Sequence, residues 1–275
     1  METALPIAHA WAGRRPRLHH QECGVGMQVV TLLGRPETAL QALRMPVPQG
    51  EGGTFMQGHM VAKLLSFKRL YERWPQFMLV LLGENGEPIA RGLSVPFASQ
   101  LPGRELYPSH GWGKVAVWAA EDALDDARTD TVCALEIMVH PEHRGKGLSG
   151  MVLQAMRENA KQLGYSRLIA PVRPSIKSDE PSTPMEEFVN RVRSDGLPVD
   201  PWLRVHARAG GKITGIAECS QTVQGSLEQW RHWTGLPFHE DGETVVPGGL
   251  VPVLVSVRQD IATYTEPNVW VLHSI

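Results

Sequence analysis

Several features that would quickly settle the class of this chain are scarce or missing. Its 275 residues include only three cysteines, Cys23, Cys133 and Cys219. They are scattered, odd in number and never form a CxxC pair, which suits a reducing cytoplasm better than a disulfide framework. No apolar run reaches the ~18 residues of a membrane-spanning helix. The opening METALPIAHAWAG has no basic stretch followed by a sustained apolar one, so no secretory signal is expected. An excess of one charge is also missing, with 27 Lys and Arg against 29 Asp and Glu, a net charge of −2. Such a chain has no bulk electrostatic pull toward nucleic acid or an anionic membrane, which leaves only a local basic patch open. Neither a Walker loop nor GxGxxG is present, and no Ser/His/Asp nucleophile elbow suggests a covalent acyl-enzyme. Internal repeats and low-complexity tracts are absent too.

The chain is 42% hydrophobic, enough for one sizeable core. Residues 35–58, rich in Pro and Gly, read as loop around a short helix. Residues 59–74 place Val61, Leu64, Leu65, Phe67, Leu70 and Tyr71 close to helical spacing and stop at Pro75. Residues 76–82 and 89–97 read as strands of a hairpin through the Asn-Gly turn of GENGEP. Pro-, Gly- and Trp-containing sequence fills 98–118, and the acidic stretch 121–130 reads as surface. Residues 132–139 (VCALEIMV) are a strand. Residues 148–163 are a helix with Leu148, Met151, Val152, Ala155 and Met156 on one face and Gly164 at its end, and 165–172 are another strand. The polar stretch 175–201 holds Pro181, Pro184, Pro198 and Pro201 and a short helix near 185–193. Late strands are expected at 211–217 and 251–257, with Trp230, Trp233 and Trp270 as core or pocket wall.

The informative segment is 135–150, LEIMVHPEHRGKGLSG. A strand ends, Pro141 breaks it, and a turn with Gly145, Gly147 and Gly150 leads into a helix. The first N–H groups of a helix lack internal acceptors and lie at its positive dipole end. Glycines let a phosphate approach them, and Arg144 and Lys146 add charge at the same spot. The turn is an anion cradle.

With these residues in view, Val139 to Ser149 resembles the acyl-CoA signature of the GCN5-related N-acetyltransferase family, an Arg or Gln, two residues, Gly, one residue, then Gly or Ala. The signature falls on Arg144, Gly147 and Ser149, and Ser149 departs from it with an equally small side chain. The downstream APVRPS at 170–175 resembles the family's next strand, although Ile176 stands where many relatives carry Asn. LRVHARAGGKI at 203–213 resembles the late helix-to-strand corner.

The resemblance implies an α/β (α+β) fold with a mixed, mostly antiparallel central sheet, a splayed parallel strand pair and flanking helices. It implies a single domain over 1–275, with a best-matching core of about 60–215, an N-terminal extension 1–30, an insertion 176–202 and C-terminal strands in 211–275. Acetyl-CoA or another acyl-CoA would be the donor, with no metal. By family prevalence the implied acceptor is a small-molecule primary amine. A phosphopantetheine-bearing acyl carrier protein would serve as an alternative donor, with Arg144, Lys146, Arg173 and Lys177 as a basic rim. A non-catalytic scaffold of the same fold also stays open, as does a homodimer. Neither nucleic acid nor membrane is expected as a partner, and a cytoplasmic location is.

The implied cofactor contacts are Met138, Val139, Arg144, Gly145, Lys146, Gly147, Leu148, Ser149, Gly150 and Ser175. Backbone N–H groups near Met138 and Val139 would face the thioester. Glu136 is the one ionisable residue in an apolar strand. Buried near the gap, it would be a carboxylate of raised pKa acting as general base through water; otherwise it meets solvent or an Arg. His206 occupies the place of a family Tyr that protonates the leaving thiolate, or else is simply a surface or core histidine. His140 and His143 lack further ligands for a metal.

Overall fold

The computed structural model describes residues 21–22, 26–46 and 53–275; of HHQEC at 19–23, in sequence a weak look-alike of a metal site and more a solvated segment, His19, His20 and Cys23 lie outside them. The chain enters through β1 (Gln21–Glu22) and β2 (Gln28–Thr31) and turns into α1 (Pro36–Leu43). The helix expected over 59–74 is broken into α2 (Met60–Leu64) and α3 (Phe67–Arg73). Leu65 leaves helical geometry at φ −101°, and Ser66 is extended as the α3 N-cap, its carbonyl accepting the Leu70 N–H at 3.0 Å. The expected hairpin follows as β3 (Met78–Leu82) and β4 (Pro88–Phe97).

Residues 98–130 hide a helix, α4 (Gly111–Leu124). Glycines and tryptophans blurred its pattern, and Asp122, expected at the surface, is buried. The Asp122 carboxylate accepts from the Ala98 N–H at 2.7 Å and Arg104 Nη1 at 2.8 Å, fastening the end of β4 to α4. The central unit is β5 (Thr131–Val139), α5 (Leu148–Gln162) and β6 (Arg167–Val172). Gly92 brings α5 close to β4, since a Cβ there would meet Met156 Sδ at 2.6 Å and Val152 Cγ1 at 2.7 Å.

The insertion at 176–202 is more regular than its composition suggests and holds α6 (Met185–Val189). Met185 and Phe188 join the main core. Lys177, placed on a basic rim by the sequence, is instead fully buried. Its ammonium donates to the carbonyls of Glu180 (2.8 Å), Pro181 (3.3 Å) and Leu250 (2.8 Å). Burial lowers its pKa, and the Glu180 carboxylate opposes that shift. Lys177→Met leaves those carbonyls without their donor. It is expected to cost about 2–4 kcal/mol, lowering Tm by roughly 5–10 °C in a thermal melt. An unchanged Tm would show that the ammonium does not hold the insertion.

The C-terminal part runs through α7 (Pro201–Arg208), β7 (Lys212–Gly225), α8 (Leu227–Thr234), β8 (Gly242–Thr244), β9 (Val253–Ser256) and β10 (Ile261–Ser274). The strands expected at 211–217 and 251–257 belong to β7 and β9. The long β10 escaped notice because Glu266, Asn268 and His273 occupy fully buried positions in it and break any apolar alternation. The sheet order is β1-β2-β3-β4-β5-β6-β10-β9-β8, with β7 also paired to β10. A second, smaller core gathers Phe55, Trp230, Phe238 and Tyr264. Among the described residues no helix is long and apolar enough to cross a membrane.

Candidate active site

Every strand pair among the described residues is antiparallel except β5 with β6. These two touch only at their starts, Val132 opposite Leu168 and Cys133 opposite Ile169. Beyond Cys133, β5 stays with β4 while β6 stays with β10, so a gap opens between them. One extra residue in β5 accompanies the split. Leu93 faces Glu136 and Ser94 faces Ala134, which leaves Leu135 bulged. Trp112 Nε1 of α4 donates to the Leu135 carbonyl at 3.1 Å and holds the bulge.

The backbone groups lining the gap follow from alternation. The His140 N–H donates to Ile89 O at 2.9 Å, toward β4. The N–H groups of Val139 and Ile137 therefore point away from β4 into the gap, and that of Met138 points to β4. Of the two N–H groups that the sequence named, that of Val139 points into the gap and that of Met138 does not, and the Ile137 N–H points into the gap beside Val139.

At the mouth of the gap lies the Gly-rich turn. Gly145 and Gly147 both have φ +75°, a left-handed conformation that glycine adopts without strain. Gly147 is the α5 N-cap, and no side chain caps that helix end. Arg144, Gly145, Lys146 and Gly147 are exposed, Leu148 is buried beneath them, and Ser149 and Gly150 are half-buried. Among the described residues, a Cβ added at Gly145 or Gly147 would meet nothing within 4 Å, so these residues leave open space in front of the helix N-terminus. This arrangement suits a diphosphate.

The other candidate residues lie on β5, just after β6 and on α7. Of the two environments that the sequence left open for Glu136, the structure shows the second, a carboxylate that meets solvent and an Arg. Its side chain is 39% exposed, and its Oε1 accepts from Arg91 Nε at 2.6 Å. The Arg91 guanidinium also donates to Ala42 O at 2.7 Å and lies 5.1 Å from the Phe67 ring centroid. Arg91 is itself a charged residue inside an apolar strand, a signal that could have marked it as the partner of Glu136. Arg173, assigned to the basic rim, turns instead to Glu266, 3.0 Å from its Nε. The exposed Ser175 donates its hydroxyl to Asp200 at 3.2 Å.

His206, on α7, is buried, with its Nδ1 2.9 Å from His273 Nε2 on β10. Among the described residues His273 Nδ1 has no hydrogen-bond partner, and it is buried. A proton there would be an orphaned donor, so the favoured tautomer has His273 Nε2–H donating to His206 Nδ1 and His206 protonated on Nε2. Burial, then the neighbouring His273, holds the His206 pKa down to about 3. Burial, then Arg157, holds His273 down to about 4. Unfolded histidines titrate near ~6.5, so below that pH the unfolded chain binds protons that the folded pair refuses. Stability is therefore complete above about pH 6.5 and falls as pH drops toward 4. In urea melts taken stepwise from about pH 7 to 5, above most carboxylate titration, the loss should be clear. The double variant His206→Phe, His273→Leu should show a flatter slope, and equal slopes would refute the assignment.

Among the described residues no group of three or more His, Cys, Asp and Glu side chains is placed to hold a metal ion. The acetyltransferase (GNAT) family profile matches residues 54–178, which include the hairpin, the gap and the turn. Arginine N-acetyltransferase avaD of Aspergillus versicolor is 35% identical over 207 residues, covering 68% of this chain and 70% of that protein. The chain belongs to the GCN5-related N-acetyltransferase (GNAT) family. Its fold agrees with the loading GNATL domain of CurA from Lyngbya majuscula, at a TM-score of 0.53 and 17% identity, covering 90% of this chain and 97% of that domain. This GNAT protein is an N-acyltransferase whose donor is an acyl-CoA.

Proposed function

We propose that this GNAT enzyme acylates arginine or a closely related amine, with the acyl-CoA thioester held in the gap between β5 and β6. The 35% identity with an arginine N-acetyltransferase over 207 residues carries the choice of acceptor. The turn at 144–150 takes the diphosphate, with Arg144 and Lys146 beside it, and Ser175 lies on the opposite bank. The pantetheine runs into the gap, where the N–H groups of Ile137 and Val139 receive the thioester oxygen as it gains charge. The amine nitrogen attacks the carbonyl carbon, a C–N bond forms, the C–S bond breaks, and the amine's spare proton leaves through water to Glu136. His206, neutral and protonated on Nε2, serves as hydrogen-bond donor to the departing sulfur rather than as a full acid.

The test is the release of CoA thiol, with mass analysis of products, across arginine, agmatine, lysine and arylalkylamines. Arginine should give the highest kcat/KM. Faster transfer to an arylalkylamine, with arginine inert, would overturn the choice of acceptor. Running the same panel with an acyl-pantetheine carrier protein as donor addresses the alternative source, and acyl-CoA should be faster.

A further inference from the structure

A set of buried polar groups outside the described site lies on one face of β10. Tyr264, Glu266 and Asn268 alternate there and are all fully buried. Glu266 Oε2 accepts from the Tyr264 hydroxyl at 2.7 Å and from Arg173 Nε at 3.0 Å, and its Oε1 accepts from Asn268 Nδ2 at 3.1 Å. Asn268 Nδ2 donates as well to Pro267 O at 3.0 Å. Both neighbours of that nitrogen are acceptors, so the amide orientation is fixed, because the flipped amide would set oxygen against oxygen. Asn268 Oδ1 is left buried with no donor. Such an orphaned acceptor costs about 1–3 kcal/mol and calls for an N–H or O–H that no described residue supplies.

Its location says which donor. Pro267 has no N–H to give the ladder, and β7 bulges opposite it between Ala217 and Gln221. That bulge meets the start of α4, where Ser220 Oγ accepts the Trp112 N–H at 2.9 Å. Trp112 in turn holds the Leu135 carbonyl on the β5 bank of the gap. His59 lies against Trp112, with ring centroids 5.4 Å apart, and close enough to Glu266 to feel its charge. Its Nδ1 accepts the Ala62 N–H at 3.2 Å, which puts the proton of the neutral ring on Nε2. Burial lowers the His59 pKa and keeps that ring neutral, although Glu266 opposes the shift. On the other bank, Arg173 follows β6 directly and is tied to Glu266. The cluster thus joins the two banks, on the face of the sheet that α4 covers.

We propose that Asn268 Oδ1, backed by Glu266, binds an N–H of the acceptor's reacting nitrogen, which is a neutral amine at that point. The proposal rests on the amine-acceptor reading above. The charge balance selects the protonation state. Arg173 neutralises Glu266, so the subsite offers an oxygen acceptor without net negative charge. An unbalanced carboxylate would favour the ammonium, which has no lone pair to attack with. A carbonyl oxygen beside a neutral ion pair accepts from the free amine and leaves its lone pair for the thioester. Asn268 orients the amine and takes no proton.

The experiment uses the full chain with acyl-CoA and its best amine. Asn268→Leu removes the acceptor at similar volume, and Asn268→Ser, with a smaller polar side chain, guards against failure of the first variant to fold. A CD melt and CoA titration confirm folding and an intact donor site. In either folded variant the amine KM should rise roughly 10- to 100-fold, while the acyl-CoA KM stays within about threefold. An amine KM within twofold of the parent's, or equal loss for both substrates, would overturn the proposal. The amine reading fails separately: a parent enzyme that acylates alcohols and no amine refutes it whatever the variants do.

Discussion

Gly147→Asp removes measurable CoA binding from a protein that still folds. Gly147 is the uncapped N-cap of α5 at φ +75°, and the space in front of it is open. A carboxylate added there sits at the helix N-terminus, where the diphosphate is to bind. It satisfies the free N–H groups itself and repels the phosphates at close range. A loss of at least ~100-fold in affinity is expected. Strain also enters, because an ordinary L-residue costs ~1–2 kcal/mol in this conformation. Gly147→Asn separates the two effects, since Asn tolerates the left-handed region and carries no charge. Calorimetric titration should give a few-fold loss for Asn and a near-complete loss for Asp, while pantetheine lacking its phosphates binds both alike. An Asp variant that binds CoA like the parent would remove the cradle from the account.

Glu136→Gln lowers kcat roughly 100-fold or more and leaves the acyl-CoA KM nearly unchanged. Gln keeps an oxygen that accepts from Arg91 Nε, and Arg91 keeps its contacts with Ala42 O and Phe67. The fold should therefore persist while the proton acceptor is lost. The deficit should shrink at higher pH, as free amine accumulates in solution. Arg91→Met is the contrasting change. It strips the buried cation from Glu136 and Ala42 O together, so its main effect belongs to stability, seen as a lower urea midpoint. A Gln variant as fast as the parent across pH would make Glu136 the structural partner of Arg91 and nothing more.

The Gly-rich turn into α5 was legible in sequence because it is local. Gly145, Gly147 and the start of α5 are adjacent in the chain, and glycine is needed where φ is positive. The hairpin β3–β4 was legible for the same reason, since a short turn and two apolar runs report on each other. Partners distant in sequence were not legible. Nothing in the run around Glu136 announces Arg91, 45 residues away, although a charge inside the apolar strand β4 was a usable hint. The pairing of His206 with His273 spans 67 residues. Helix α4 was lost under its tryptophans and glycines, and β10 under polar residues that its neighbours satisfy. Lys177 and Arg173 looked like free surface charge because sequence shows charge and not burial. The choice between Met138 and Ile137 as gap-facing donor turned on the phase of one hydrogen-bond ladder, which a single bulge at Leu135 resets.

The most direct test is a crystal structure of the full chain with CoA and the amine product. The account predicts the diphosphate on the N–H groups of the turn at 145–150, the pantetheine between β5 and β6, and the sulfur beside Ile137 and Val139. A pantetheine lying outside that gap, or a diphosphate bound away from the start of α5, would contradict it.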